Sequence, residues 1–195
     1  MARPMRLLVA ALAALAIALA AAQEDESLVT TQQGVVQGVV GEFHRAFYGI
    51  PFAAPPVGDL RWRAPQAPAS WTGVRDATYR RPDCIQLEPD RRWFGETSED
   101  CLYLNVWAPR GANATEPVHP VLFFIHGGSN FNGGSSVPIY NGRGIVELTQ
   151  NAVVVVINYR LNVFGFLGGA QLAAESDEGA NGNYAVLDQR AALVW

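Results

Sequence analysis

The chain has 195 residues, 18 acidic against 14 basic side chains for a formal charge of −4, and two cysteines. That length holds one domain with a hydrophobic core, and a mildly acidic balance without a basic run excludes the electrostatic footprint of a nucleic-acid binder. Two cysteines with no nearby histidine cannot complete a tetrahedral metal shell, so no metal is expected.

In chain order, Met1 to Arg6 carries Arg3 and Arg6, Leu7 to Ala22 is apolar without a break, and Ala20-Ala21-Ala22 offers the small residues of a signal-peptidase site. Residues 1–22 therefore read as a cleaved secretory signal and 23–195 as the mature chain, directed to the extracellular side. The rival is a membrane anchor, but a stable span needs about 20 strongly apolar residues and this run is short and mostly alanine.

Leu28 to Tyr48 is β-rich and broken by Gly34, Gly38 and Gly41, as in twisted antiparallel strands near a sheet edge. Pro51, Pro55, Pro56, Pro65 and Pro68 then predict an extended segment without regular structure. Cys84 and Cys101, in a chain entering an oxidising compartment, predict a disulfide worth about 3 kcal/mol by loop entropy. Leu102 to Trp107 alternates and predicts a strand with two unlike faces. Asn113-Ala114-Thr115 is a glycosylation sequon in a surface loop.

Val121 to Ile125 and Ala152 to Ile157 are unbroken apolar runs, the pattern of parallel strands buried on both faces. Gly144 to Gln150 supplies part of a crossover helix between them. Asn183 is a plausible N-cap for a helix through Val186, Leu187, Arg190 and Leu193, reaching Trp195 with no stop signal. Between the two runs, the strand at Val121 ends in His126-Gly127-Gly128-Ser129, continuing to Ser136 through glycines, serines and asparagines. Such a loop brings its own N–H groups close to a ligand without a Cβ in the way.

Six stretches carry a resemblance. They are FYGIPFAAPPVGDLRWRAP (47–65), SEDCLYLNVWAP (98–109), IHGGS (125–129), YNG (140–142), INYRLNVFGFL (157–167) and GNYAVLDQRAALVW (182–195). In this order they resemble the type-B carboxylesterase and cholinesterase family, which implies an α/β fold of the α/β-hydrolase type. Antiparallel N-terminal strands would lead into a mostly parallel central sheet, present here only in its N-terminal part. The resemblance implies a carboxylic ester hydrolase acting through an acyl-enzyme on a small-molecule ester, with no cofactor. It places Gly127, Gly128 and Ser129 at the oxyanion hole, with the N–H groups of Gly128 and Ser129 as donors. It gives His126 a role in positioning that loop. It also implies a Cys84–Cys101 disulfide, an Arg61–Glu99 salt bridge beside it, and Trp93 near the quaternary-ammonium site of cholinesterases, where ordinary packing or exposure is the default reading.

Ser129 departs from the glycine of the commonest members. The substitution is expected to be tolerated if the backbone angles suit an L-residue. A His-Gly-Gly-Ser loop also resembles that of neuroligins, non-catalytic adhesion proteins of the same fold. A hydrolase of this kind needs Ser, then an acid, then His in chain order, with the serine in a G-x-S-x-G elbow. No such elbow occurs here, and His44, His119 and His126 all precede its expected place. The expectation is an N-terminal portion of a secreted esterase, from an incomplete reading frame or a truncated product, inactive by itself.

Overall fold

The computed structural model describes residues 25–86, 95–112, 119–176 and 180–195. Its centre is a five-stranded sheet built from β3 (Val39–Val40), β4 (His44–Pro51), β8 (Tyr103–Pro109), β10 (Val153–Ile157) and β9 (Val121–Ile125), side by side in that order. All neighbours are antiparallel except β9 and β10, which run parallel from Val121 opposite Val153 to Ile125 opposite Ile157. A second sheet joins β1 (Leu28–Thr30), β2 (Val35–Gln37) and β5 (Val74–Asp76), and a short parallel pair joins β6 (Asp83–Cys84) to β7 (Thr97–Ser98). The antiparallel pairing expected for Leu28 to Tyr48 is present in β1–β2 and β3–β4. β5 was not evident from sequence, and it lies parallel to β2. The proline-rich stretch holds one short 3-10 turn at Gly58–Leu60.

One expectation holds and one needs correction. β8 does present two unlike faces, Leu104 and Val106 to one core cluster and Trp107 to the other, and both are buried because helices cover both faces of the sheet. Its Asn105 is 1% exposed and accepts a 2.9 Å bond from the Gly49 N–H, where the β4–β8 register shifts and Gly49 takes φ +63°. An amide inside the strand thus satisfies a backbone group that the bulge frees. β9, by contrast, is not buried on both faces. It lies at the sheet edge with Val121, Leu122 and Ile125 exposed, and its outer side pairs with none of the described strands.

Helix α1 (Arg143–Thr149) is the crossover between the parallel strands and covers one face of the sheet, closing Val146 over Trp107, Val154 and Val156. The other face is covered by α2 (Asn162–Phe166), α4 (Tyr184–Val194) and the disulfide, around Phe47, Ile50, Leu104 and Ile157. A further short helix, α3 (Ala170–Ala174), lies between them in the chain. α4 begins after Asn183 as expected, but the Asn183 side chain makes no capping bond and accepts instead from the Asn181 N–H at 3.1 Å. α2 and α4 approach closely at Gly165, where a Cβ would sit 3.0 Å from that of Ala185. Among the described residues, no helix is long and apolar enough to cross a membrane.

Candidate active site

The loop after β9 has two parts, and buried side chains hold both. In the first, the Tyr159 hydroxyl donates to the His126 carbonyl at 2.8 Å while the two rings stack at 4.3 Å. The His126 Nδ1 lies 3.1 Å from the Gly127 carbonyl, so the neutral ring carries its proton there. Burial lowers the His126 pKa from 6.5 to about 4, which removes it as a proton acceptor at neutral pH and leaves it a packing role. Asn162 holds the next turn: its N–H donates to the Asn130 carbonyl and its side-chain amide to the Phe131 carbonyl, both at 2.9 Å. Phe131 and Asn132 N–H groups close back onto the Gly128 carbonyl at 3.0 and 3.2 Å.

The second part, Gly133 to Ser136, is anchored in the core. Gln86 makes a reciprocal pair with Gly133, its Nε2 donating to the Gly133 carbonyl and its Oε1 accepting from the Gly133 N–H, each at 2.9 Å. Asn158 accepts from the Ser135 N–H at 2.7 Å, and Asn105 donates to the Ser135 carbonyl at 3.3 Å. The Asp83 carboxylate accepts from the Ser136 N–H at 3.1 Å and from its hydroxyl. Burial pushes the Asp83 carboxyl up, and the Ser136 hydrogen bonds oppose that rise.

Among the described residues, the N–H groups of Gly127, Gly128 and Ser129 donate to no acceptor, and neither do those of His126 and Asn130 on either side, which are held through their carbonyls by Tyr159 and Asn162. Gly128 has φ +128°, and a Cβ there would fall 1.9 Å from the Asn132 carbonyl oxygen, so only glycine fits. Ser129 has φ +55° and Asn130 +64°, both in the left-handed region. Successive N–H groups in such a turn form an anion-binding concavity. The L-residue condition set for Ser129 is therefore met only at a backbone cost of about 1 kcal/mol relative to glycine.

A cavity of about 660 Å³ opens beside Ser129, bordered also by Ile85, Gln86, Phe131, Asn162 and Phe166 among others, and no ionisable side chain lines it among the described residues. The disulfide joins Cys84 to Cys101 with Cα atoms 4.9 Å apart, two residues before Gln86. Arg61 grips Glu99 by two bonds of 2.6 and 2.7 Å beside it. Trp93 and Asn113 lie outside the described residues. Arg160 and Asp188 form a second, deeper pair, 3% and 0% exposed, with side-chain bonds of 2.8 and 2.7 Å and a 3.1 Å bond from the Arg160 N–H. Burial raises the Asp188 carboxyl and the guanidinium opposes that rise.

Sequence reasoning had not assigned Gln86, Asp83, Asn105, Asn158, Tyr159, Asn162 or the Arg160–Asp188 pair. The available signal was the run Asn158-Tyr159-Arg160, polar residues directly after a wholly apolar strand, which must be satisfied or functional when buried.

A donor loop at the C-terminal end of a parallel strand, with helices on both faces of the sheet, is an α/β arrangement that α/β-hydrolases share. The family comparison agrees: residues 25–195 match the carboxylesterase family model, and the chain belongs to that family. It is 46% identical over 188 residues to a fumonisin B1 esterase of Sphingopyxis macrogoltabida, covering 94% of this chain and 34% of that protein. It is 38% identical to the acetylcholinesterase of Bungarus fasciatus, covering 92% of this chain and 30% of that protein. Among solved structures it superposes on a thermophilic PNB esterase with a TM-score of 0.77 at 38% identity, covering 87% of this chain and 34% of that one. The chain thus spans about a third of the length of these relatives.

Proposed function

We propose that the whole protein is a serine-dependent carboxylic ester hydrolase, and that this chain contributes most of its oxyanion hole. The observation that carries the reading is the run of N–H groups that donate to no acceptor among the described residues, Gly127, Gly128 and Ser129 within it, at the end of β9 where Ser129 borders an uncharged cavity. Attack on an ester carbonyl by a serine puts negative charge on the carbonyl oxygen. Fixed donors aimed at that oxygen lower the barrier by about 3 to 4 kcal/mol each. The Gly128 and Ser129 N–H groups would supply two donors, and a third would come from the residue after the nucleophile.

The serine, acid and base belong to parts of the protein outside this chain, and the 195-residue chain is inactive alone. The protein enters the secretory pathway through residues 1–22, carries glycan at Asn113, and needs no metal or cofactor for acyl transfer. Its substrate is a small-molecule ester. The names of its relatives, an esterase for fumonisin B1 and an acetylcholinesterase, support that class without fixing the acid or alcohol.

The second reading, a non-catalytic adhesion protein on the same fold, rests on the His126-Gly127-Gly128-Ser129 loop, with serine where the commonest esterases of the family have glycine. One experiment separates the two: p-nitrophenyl ester hydrolysis by the whole protein, together with covalent labelling by a fluorophosphonate. Turnover that labelling abolishes supports the hydrolase. Absence of both in folded protein overturns it.

A further inference from the structure

The buried amide of Gln86 lies two residues beyond the disulfide strand, and the residue is 6% exposed. All its polar contacts run to backbone: Nε2 to the Cys84 carbonyl at 3.1 Å and to the Gly133 carbonyl at 2.9 Å, and Oε1 from the Gly133 N–H at 2.9 Å. Gly133 in turn is pressed against the donor residues. It has φ +117°, and a Cβ on it would lie 2.3 Å from His126 Nδ1 and 2.4 Å from the Gly127 carbonyl oxygen. The Gly127 carbonyl belongs to the same peptide as the Gly128 N–H. A rigid chain of contacts therefore runs from the Cys84–Cys101 bond through Gln86 and Gly133 to the peptide that carries a donor.

We infer that Gln86 is a positioning residue for the esterase reaction: it transmits the fixed position of the disulfide to the oxyanion donors. This rests on the hydrolase reading given above. Gln86 also borders the cavity, but its amide is spent on Gly133 and Cys84, so it acts through the loop and not on the ester. Oxyanion donors stabilise the transition state only when preorganised, and small displacements of a positioned group cost up to about 100-fold in rate. The effect falls on kcat, since the donors meet full negative charge only in the transition state.

The test replaces Gln86 by Met, which keeps the volume and removes all three bonds, in the whole protein. Three readouts are taken: steady-state hydrolysis, inhibition by a trifluoromethyl ketone that mimics the tetrahedral intermediate, and hydrogen exchange of the peptide spanning Gly127 to Ser136. The expected result is a kcat lower by about 10- to 100-fold with KM within about twofold, a parallel loss of ketone affinity, and faster exchange at Gly133. Gln86→Asn, which keeps the amide but is one methylene short, shows the same pattern if the Met variant does not fold. Unchanged kcat and ketone affinity in a folded variant overturn the inference, whatever the exchange shows. A wild-type protein that neither turns over nor is labelled overturns the hydrolase reading and with it any catalytic role for Gln86. Faster exchange in that case marks Gln86 as a structural clamp alone.

Discussion

Acid should lower the stability of the fold before most carboxylates titrate, because of one imidazole buried in the oxyanion loop. His126 is 3% exposed, lies on the Tyr159 ring, and has its pKa lowered from 6.5 to about 4 by burial. The folded-state value is the lower one. Its contribution is therefore complete above pH 6.5 and is lost as the pH falls toward 4, where the unfolded chain binds a proton that the folded chain refuses. At about pH 4.5 the loss is about 2 to 3 kcal/mol, set by the gap between the two values. Asp83, at the other end of the loop, works in the opposite sense. Burial raises its carboxyl, so its protonated folded form gains stability as the pH falls through that raised value. The perturbation that isolates the imidazole is His126→Phe, which keeps a ring against Tyr159 and removes the proton site. Urea unfolding of the whole protein, followed by tryptophan fluorescence from about pH 7.5 to about pH 4.5, gives the two stability curves. Wild type should lose about 2 to 3 kcal/mol relative to the variant across that range. Parallel curves would refute the burial argument for His126.

Further outcomes follow from the same contacts. Asp188→Asn strips the buried Arg160 guanidinium of its counter-charge and should cost about 3 to 5 kcal/mol in thermal unfolding, while the joint Arg160→Met, Asp188→Leu change should recover most of that. Gly134→Ala places a Cβ 2.1 Å from the Asp83 Cγ, so the carboxylate must leave Ser136. A loss of about 2 to 4 kcal/mol in the urea midpoint is expected, with reduced turnover. Ser129→Gly relieves about 1 kcal/mol of left-handed backbone cost and adds comparable freedom to the unfolded chain. Stability should shift by less than about 1 kcal/mol and turnover should persist, as measured by urea unfolding and ester hydrolysis.

Where the sequence was legible, it was legible through local chemistry. The β-branched run at Val153 to Ile157 and the glycine-rich stop at His126 are each encoded in a few adjacent residues, so strand, loop and donor segment could be read directly. What was misread or left unread depended on neighbours distant in sequence. Leu102 to Trp107 alternates as read, but that both of its faces are buried depends on helices distant in sequence, with Val146 closing over Trp107. Val121 to Ile125 has the composition of a central strand, but its position is set by pairing order, and among the described strands it is the edge. The anchors of the donor loop were the hardest to see. Gln86 is 47 residues from Gly133, and Asp83 is 53 from Ser136, so no spacing rule connects them. They become visible only once the disulfide strand is laid beside the loop.

The central claim is that the Gly128 and Ser129 N–H groups receive the oxyanion. The most direct measurement is a crystal structure of the whole protein after reaction with a fluorophosphonate, whose phosphonyl oxygen takes the oxyanion's place. The account predicts that oxygen within about 2.7 to 3.1 Å of both nitrogens, with His126 still stacked on Tyr159. An adduct whose oxygen lies away from both N–H groups, or folded protein that forms no adduct, would contradict it.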